Sequence, residues 1–200
     1  MARWEEGARE RLVLAALDLF TEQGYDATTV AQIVDRAGVT KSTFFRYFPD
    51  KRELLVAGQD ALSALLAEGI AGAPEDATPL DAVAAGLARA ATMMGPGVRE
   101  RGLRMRAAVA ASTELQERDA LKSVGLSVAM TDALVARGLP DVIAHLAAEL
   151  GVLAFKRGYA AWLEADGAEH TDAEHTDAEG LAPYALAALR ELQAASVALS

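Results

Sequence analysis

Residues 28–53, TTVAQIVDRAGVTKSTFFRYFPDKRE, contain the pattern that most constrains how this chain can fold. Thr29 followed by Gln32 is a capping-box pair, which predicts that a helix starts near Thr29. Apolar residues then recur every three to four positions until Gly38, a residue suited to the left-handed conformation that ends a helix. Thr40 can cap a second helix directly afterwards. Two helices joined by so short a turn meet at a steep angle, as in a helix-turn-helix.

The second helix is predicted to run from about Thr40 to Phe48 and to have two different faces. Phe44 and Phe48 are four residues apart, so both should face the core. The opposite side combines small polar, basic and aromatic residues, which suit a helix lying in the major groove of DNA. A threonine methyl can contact a thymine methyl, while basic and hydroxyl groups bind base edges or phosphates. The outward residues are Thr40, Lys41, Thr43, Arg46 and Tyr47.

A further helix is predicted from about Asp50 to Ile70, because Pro49 ends the second helix and Asp50 with Glu53 forms a cap. Lys51 would then lie at a helix N-terminus, where free backbone N–H groups and its own charge favour a phosphate. The alternative is an ordinary three-helix unit with a partly polar surface, because single helical hairpins also occur by chance.

Together with the preceding LDLFTEQGYDATTV, the run AGVTKSTFFRYFPDKREL resembles the TetR/AcrR family of one-component bacterial regulators over about the first 56 residues. The resemblance implies an all-helical dimer whose N-terminal domains bind a palindromic DNA operator and whose C-terminal domains bind a small effector. It makes Thr29 a phosphate contact and puts Lys51 at the start of the fourth helix. The recognition helix would contain Lys41, Ser42, Thr43, Phe45, Arg46 and Tyr47.

The chain departs from the usual pattern of that family at two positions. Phe45 stands where a tyrosine is usual, so a hydroxyl group that would bond a phosphate is missing. Val34 stands where an alanine is usual, which predicts slightly different packing between the helices.

The net charge of −10 argues against a nucleic-acid partner, but the charge is unevenly distributed. Residues 1–56 hold eight basic and nine acidic residues, whereas the remainder holds 11 basic and 20 acidic residues. The acidity therefore lies away from the predicted DNA-binding face. Few phosphate contacts per subunit are available, which predicts a modest dependence of DNA affinity on salt.

Composition predicts an all-α fold. Hydrophobic residues make up 52% of the chain and are mostly the helix formers Ala and Leu, together with Val, and strand-like runs are absent. We predict a helix-turn-helix DNA-binding domain over 1–56 and a helical bundle for effector binding and dimerisation over 57–200. The helices are expected near 7–23, 80–94, 98–111, 115–137, 140–166 and 180–197.

Several classes of site and location are excluded or disfavoured by the sequence. The absence of cysteine excludes disulfides and thiol chemistry and is compatible with the cytoplasm. We expect neither a signal peptide nor a membrane span, because the chain opens with charged residues and no apolar run approaches the ~18 residues that a span needs. No nucleophile–base pair and no Gly-rich phosphate loop can be assembled, so an enzyme is not expected.

The C-terminal half is similar, at a few positions, to mycofactocin-regulator-like members of the same family, through STELQERDALK and GYAAWLEADG. An effector pocket is expected between its central helices. Methionines adapt to irregular cavities and favour an apolar ligand, while an inward-pointing Arg104 would need an anionic partner. The candidates, for each of which plain packing or surface exposure is the alternative, are Met93, Met94, Arg104, Met105, Met130, Phe155, Tyr159 and Trp162.

A homodimer is expected to form through the last two helices, which offer apolar surface for a four-helix contact. Two-fold symmetry would place the recognition helices about one DNA turn, ~34–36 Å, apart or slightly more. The residues proposed for this contact are Leu146, Leu150, Leu153 and Phe155 in one helix and Leu186, Leu189 and Leu192 in the other.

The segment 168–179, AEHTDAEHTDAE, repeats a five-residue unit and contains five acidic residues. We interpret it as a solvated loop, with a metal site on His170 and His175 as the alternative. No metal or cofactor is assigned to the chain. The leading functional hypothesis is a ligand-responsive repressor, and the alternatives are a DNA-binding activator or an architectural protein without a ligand.

Overall fold

The computed structural model describes residues 3–54, 57–94, 96–165 and 180–198. Within these ranges there is no β-strand, which confirms the predicted all-α fold. The repeat at 168–179, with its two histidines, lies outside the described residues. The α-helices are α1 (Arg3–Gln23), α2 (Val30–Ala37), α3 (Lys41–Tyr47), α4 (Gln59–Ala71), α5 (Pro79–Ala91), α6 (Pro96–Ala110), α7 (Thr113–Ala136), α8 (Asp141–Glu164) and α9 (Ala182–Val197).

Most helix boundaries agree with the sequence, and α5 to α9 begin and end within three residues of their predicted ranges. The prediction of a single helix from Asp50 to Ile70 is wrong. A short 3-10 helix, η1 (Lys51–Leu54), comes first, and α4 begins only at Gln59. Gly58, directly before α4, has a φ of +91°, a conformation that an α-helix cannot contain.

The chain forms two compact units, and the first consists of Met1–Gly58 and Glu100–Lys122. Its core packs α1, α2 and α3 around Phe44, and it also buries Ala108 of α6 and Leu115 of α7. The predicted boundary at residue 56 lies close to Gly58, but the sequence did not indicate that residues from α6 and α7 join this unit. The assignment of separate functions to 1–56 and 57–200 stays a prediction.

Ion pairs attach α6 to α1 within the first unit. Arg104 contacts Asp18 at 2.6 Å and Glu100 at 2.5 Å, and Arg101 contacts Glu10 at 3.2 Å. These side chains are partly exposed, so each pair contributes little by itself and the buried apolar residues supply most of the packing energy.

The second unit consists of Gln59–Arg99 and Ser123–Ser200. In its core α4 and α5 touch through their backbones: a Cβ on Gly69 would lie 2.6 Å from the carbonyl oxygen of Ala85, and one on Gly86 would lie 2.8 Å from that of Leu66. Only glycine at both positions permits this approach, because real Cβ atoms do not come so close to backbone atoms. Among the described helices, none is both long and apolar enough to cross a lipid bilayer.

Helices α8 and α9 are in equally close contact at Gly158, where a Cβ would lie 2.4 Å from the Cα of Ala185. We predict that Gly158→Ala destabilises the second unit by roughly 1–3 kcal/mol, the usual cost of overpacking a core. The measurement is urea unfolding followed by the fluorescence of buried Trp162, in a Trp4→Phe background that leaves Trp162 as the sole tryptophan.

The matched control for this prediction is Gly180→Ala, because a Cβ there would meet nothing within 4 Å. It should change the free energy of unfolding by less than about 0.5 kcal/mol. Equal unfolding midpoints for the two variants would contradict the close packing of α8 against α9.

Candidate nucleic-acid interface

The turn between α2 and α3 has the geometry that the sequence predicted. Thr29 caps α2 through a complete capping box: its hydroxyl accepts from the Gln32 N–H at 3.3 Å, and the Gln32 side chain accepts from the Thr29 N–H at 2.9 Å. Gly38 ends the helix with a φ of +64°, and its N–H donates to the carbonyl of Asp35. Both ends of α2 are therefore fixed by local hydrogen bonds.

Helix α3 follows α2 after three residues and is anchored by its apolar face. The Thr40 hydroxyl caps it by accepting from the Thr43 N–H at 3.1 Å. Phe44 is fully buried and Phe48 nearly so, with ring centroids 5.8 Å apart, which confirms the predicted core-facing pair. Thr40 and Phe48 both have extended backbone and flank the helix, so α3 is one residue shorter at each end than predicted.

The remaining face of α3 points to solvent and carries the predicted DNA-binding side chains. Phe45 is 55% exposed, a large fraction for an aromatic residue. Thr43 and Tyr47 are half-buried, and the Thr43 hydroxyl lies 3.0 Å from that of Thr40. The exposed members of the predicted set are Thr29, Thr40, Lys41, Ser42, Phe45 and Arg46.

Arg46 and Tyr47 lie against each other on this surface. The Arg46 guanidinium lies 5.0 Å from the centroid of the Tyr47 ring, and its Nη2 donates to the Tyr47 hydroxyl at 3.3 Å. The pair presents a cation and a phenol at one place. That combination suits a phosphate oxygen, which accepts from both kinds of donor.

Lys51 is placed differently from the prediction, because the helix that it begins is only the short η1. Its ammonium donates to the carbonyl of Tyr25 at 2.7 Å and to that of Thr28 at 3.1 Å. The same nitrogen lies 3.9 Å above the centroid of the Tyr25 ring. Lys51 therefore already has partners in the turn between α1 and α2.

Asp50 caps η1 as the sequence predicted, accepting from the N–H groups of Arg52 at 2.8 Å and Glu53 at 3.3 Å. Its other oxygen accepts from the Arg52 guanidinium at 2.5 Å. The side-chain bond from Arg52, with the backbone bond adding to it, holds the pKa of Asp50 below its usual value.

The predicted effector-binding residues are not gathered at one place. On α8, Phe155 and Tyr159 are stacked with ring centroids 5.9 Å apart, and the Trp162 ring is tilted against Tyr159 at 5.8 Å. Met130 is fully buried in the same unit. Met94 is half-buried against the same core, whereas Met93 is 38% exposed.

Arg104 and Met105 belong instead to the first unit, where Arg104 has Asp18 and Glu100 as its anionic partners. The anionic partner that Arg104 was expected to need is thus a pair of carboxylates of the protein itself, and not a ligand. The sequence showed one of these partners, because Glu100 lies one helical turn before Arg104, whereas Asp18 is 86 residues away and its contact depends on tertiary folding.

A cavity of about 300 Å³ opens on the second unit, and none of the eight predicted effector residues lines it. The sequence feature that could have indicated this cavity is the apolar spacing along α8, which we had interpreted as the dimer contact. The lining residues are Thr78, Pro79, Leu80, Ile143, Leu146, Ala147, Leu150 and Gln193. Among the described residues, no group of three or more side chains is placed to hold a metal ion.

The family model described as "Bacterial regulatory proteins, tetR family" matches residues 12–57 of this chain. The transcriptional regulator TcmR of Streptomyces glaucescens is 36% identical over 75 residues, which are 38% of this chain and 33% of TcmR. The transcriptional regulator RutR of Escherichia coli K12 is 34% identical over 77 residues, or 38% of this chain and 36% of RutR. The chain thus matches about a third of the length of these relatives.

Solved structures extend the similarity in fold to nearly the whole chain. A transcriptional regulator from Aquifex aeolicus superposes with a TM-score of 0.51 at 17% identity, covering 94% of this chain and 98% of the other. Salmonella enterica GusR gives a TM-score of 0.52 at 20% identity, covering 94% of both chains. Identities this low establish a shared fold and carry no information about a ligand.

The Asp50–Arg52 contact gives a testable pH dependence. Because the pKa of Asp50 in the folded chain lies below its unfolded value, the contact stabilises the fold above about pH 4 and is lost as the pH falls through the lowered pKa. Arg52→Gln should raise the pKa of Asp50 toward the ordinary value, as measured by NMR titration of its carboxyl carbon.

Arg36→Gln is the matched control, because Arg36 pairs with Glu22 on the same unit at 2.7 Å and does not contact Asp50. It should leave the Asp50 titration unchanged. A pKa of Asp50 that stays low in the Arg52 variant would mean that the η1 N–H groups, and not the guanidinium, stabilise the carboxylate.

Proposed function

We propose that the chain is a DNA-binding transcriptional regulator of the TetR/AcrR family, because its residues 12–57 match the family model of tetR-type bacterial regulatory proteins. The observation that carries the proposal is α3, a helix capped by Thr40 and anchored by Phe44, whose other face is solvent-exposed and basic. A DNA partner places the protein in the cytoplasm. The similar proteins are named as regulators of transcription, which supports a non-enzymatic role.

In this proposal α3 lies in the major groove, while Arg46 with Tyr47 on α3 and Thr29 at the start of α2 contact the DNA backbone. Thr43 meets base edges, because its short side chain lets the helix approach them. Lys41 binds a guanine edge or a phosphate. Arg46 and Tyr47 bind phosphate together, since their contact presents both donors in one direction. Thr29, whose hydroxyl donates to the Gln32 side chain at 2.9 Å in the DNA-free protein, redirects that hydroxyl to a second phosphate, which the N–H groups at the start of α2 also bind.

We further propose that the regulator acts as a dimer through α8 and α9. Apolar side chains repeat along the exposed side of α8: Val142 is 67% exposed, Leu146 58% and Leu153 44%. On a helix these three positions share one side, so they form a continuous apolar stripe. Of the other residues predicted for this contact, Leu189 is buried in the core and Phe155 is nearly so, which leaves the α8 stripe as the main surface.

The proposed regulation is repression that a small apolar effector relieves. The cavity beside α5 and α8 and the aromatic cluster of Phe155, Tyr159 and Trp162 offer apolar surroundings for such a ligand. An effector acts only if it binds the DNA-free conformation more tightly than the DNA-bound one. A DNA-binding activator, or an architectural protein without a ligand, is the alternative, and reporter transcription with and without the protein separates these classes.

DNA binding is tested with a duplex selected by the wild-type protein from a randomised palindrome library at low salt. Thr43→Ala should change the preference at particular base pairs by roughly 1–3 kcal/mol, while keeping the α3 cap because that cap uses the Thr43 backbone N–H. Tyr47→Phe, which loses only a hydroxyl, should weaken binding to every duplex alike by roughly 0.5–1.5 kcal/mol. Competition gel-shift assays with single base-pair substitutions measure both effects.

Selection of no duplex by the wild-type protein would overturn the proposed function. Uniform losses for both variants at all base pairs would show instead that Thr43 does not read sequence, while leaving DNA binding itself intact.

The proposed dimer predicts that Leu146→Asp produces monomers, because a charge would be buried at the centre of the α8 stripe. Sedimentation velocity measures the change in mass. Val128→Asp is the matched control, since Val128 is 54% exposed on α7 and lies outside the proposed contact. A dimer that survives Leu146→Asp but dissociates with Val128→Asp would place the contact on α7.

A further inference from the structure

The turn between α1 and α2 is held by groups distant in sequence, and Lys51 is the centre of this arrangement. Its ammonium has three N–H donors. Two are directed at the carbonyls of Tyr25 and Thr28, at 2.7 Å and 3.1 Å. The ring of Tyr25, 3.9 Å from the same nitrogen, adds a cation–π contact. Leaving this site to reach a phosphate would cost Lys51 all three interactions.

The turn that Lys51 holds is closed by hydrogen bonds, and the residues that flank it, Tyr25 and Thr28, are buried. Thr28 is 1% exposed, its hydroxyl donates to the carbonyl of Gly24 at 2.7 Å, and its N–H donates to the carbonyl of Tyr25 at 3.1 Å. The next residue is Thr29, the N-cap of α2. The position of the α2 N-terminus therefore follows from the position of this turn.

Tyr25 carries a further link on its other side. Its hydroxyl donates to Glu114, in the first turn of α7, at 3.1 Å, and Arg52 lies 3.5 Å from the same carboxylate. Burial, with the Glu114 bond adding to it, raises the pKa of Tyr25 well above its usual range, so this hydroxyl keeps its proton at physiological pH. The turn is thus fixed at its backbone by Lys51 and at its side chain by α7.

We propose that Lys51 is a positioning residue, which locks the Tyr25–Thr28 turn and so presents Thr29 and the α2 N-terminus to the DNA backbone, without binding a phosphate itself. The proposal rests on the proposed DNA-binding function. It differs from the role that the sequence predicted for Lys51, because a phosphate ligand and a positioning residue respond differently to salt and to substitution.

The dependence of affinity on salt separates the two roles. Each lysine that neutralises a phosphate contributes about one to the slope of log K against log salt concentration. Lys51→Met should weaken binding of the selected duplex by roughly ten-fold, the loss expected for one charge-assisted hydrogen bond, and leave the slope unchanged. Lys41→Met is the matched control on exposed α3: it should reduce the slope by about one per subunit when Lys41 binds a phosphate, and change the preference at one base pair when Lys41 binds a guanine edge.

Lys51→Arg provides a second variant that keeps the charge. A phosphate ligand tolerates this change, because guanidinium binds phosphate at least as well as ammonium does. A positioning residue does not, because the planar guanidinium cannot replace a compact ammonium between two carbonyls and an aromatic ring. We therefore expect Lys51→Arg to weaken binding several-fold with an unchanged slope.

Hydrogen exchange of the DNA-free protein tests the turn independently. Lys51→Met should speed exchange of the amides in residues 24–30 by about ten-fold relative to wild type, and Lys41→Met should not. Unchanged exchange there, wild-type affinity of Lys51→Arg, or a reduced salt slope of Lys51→Met would each overturn the positioning role. If the wild-type protein selects no duplex, the proposed function fails, and the exchange result still decides whether Lys51 holds the turn.

Discussion

The burial of Phe44 determines where the candidate interface lies. A seven-residue helix such as α3 is too short to be stable alone, so its existence and its rotation depend on the residue that it inserts into the core. Phe44 is fully buried against residues of α1 and α2, and Phe48 closes the same apolar face. Once Phe44 points inward, the spacing of an α-helix directs Ser42, Phe45 and Arg46 outward. The surface proposed for DNA is therefore a consequence of core packing.

Hydrogen bonds from basic side chains to carbonyls complement this packing in both units. In the first unit, Arg11 donates to the last carbonyl of α2, that of Ala37, at 3.2 Å. In the second, Arg137 donates to four carbonyls at and just beyond the end of α4, and Arg99 donates to those of Trp162 and Leu163 near the end of α8. Such contacts satisfy carbonyls that a helix end leaves without intrahelical partners. They also explain why basic residues in an acidic protein are not all available to DNA.

Local signals in the sequence were sufficient for much of the fold and for the helical hairpin. The capping box at Thr29, the glycine at position 38 and the i, i+4 spacing of Phe44 and Phe48 each act within a few residues, so each could be recognised without a structure. The break before α4 was missed because apolar residues continue across it, and nothing in that spacing distinguishes Gly58 from a glycine tolerated inside a helix. The contacts of Lys51, 23 and 26 residues away, depend on tertiary folding.

The two glycines at the α4–α5 contact limit how the second unit can respond to a ligand. With the backbones touching at Gly69 and Gly86, no side chain separates α4 from α5 at these two positions, so α4 cannot slide or roll there against α5. Side chains can change rotamer to absorb a small displacement, but backbone atoms in contact cannot. Helices α4 and α5 therefore move as one rigid pair, so any displacement of α4 also displaces α5. An effector would act on this unit by tilting the pair as a whole.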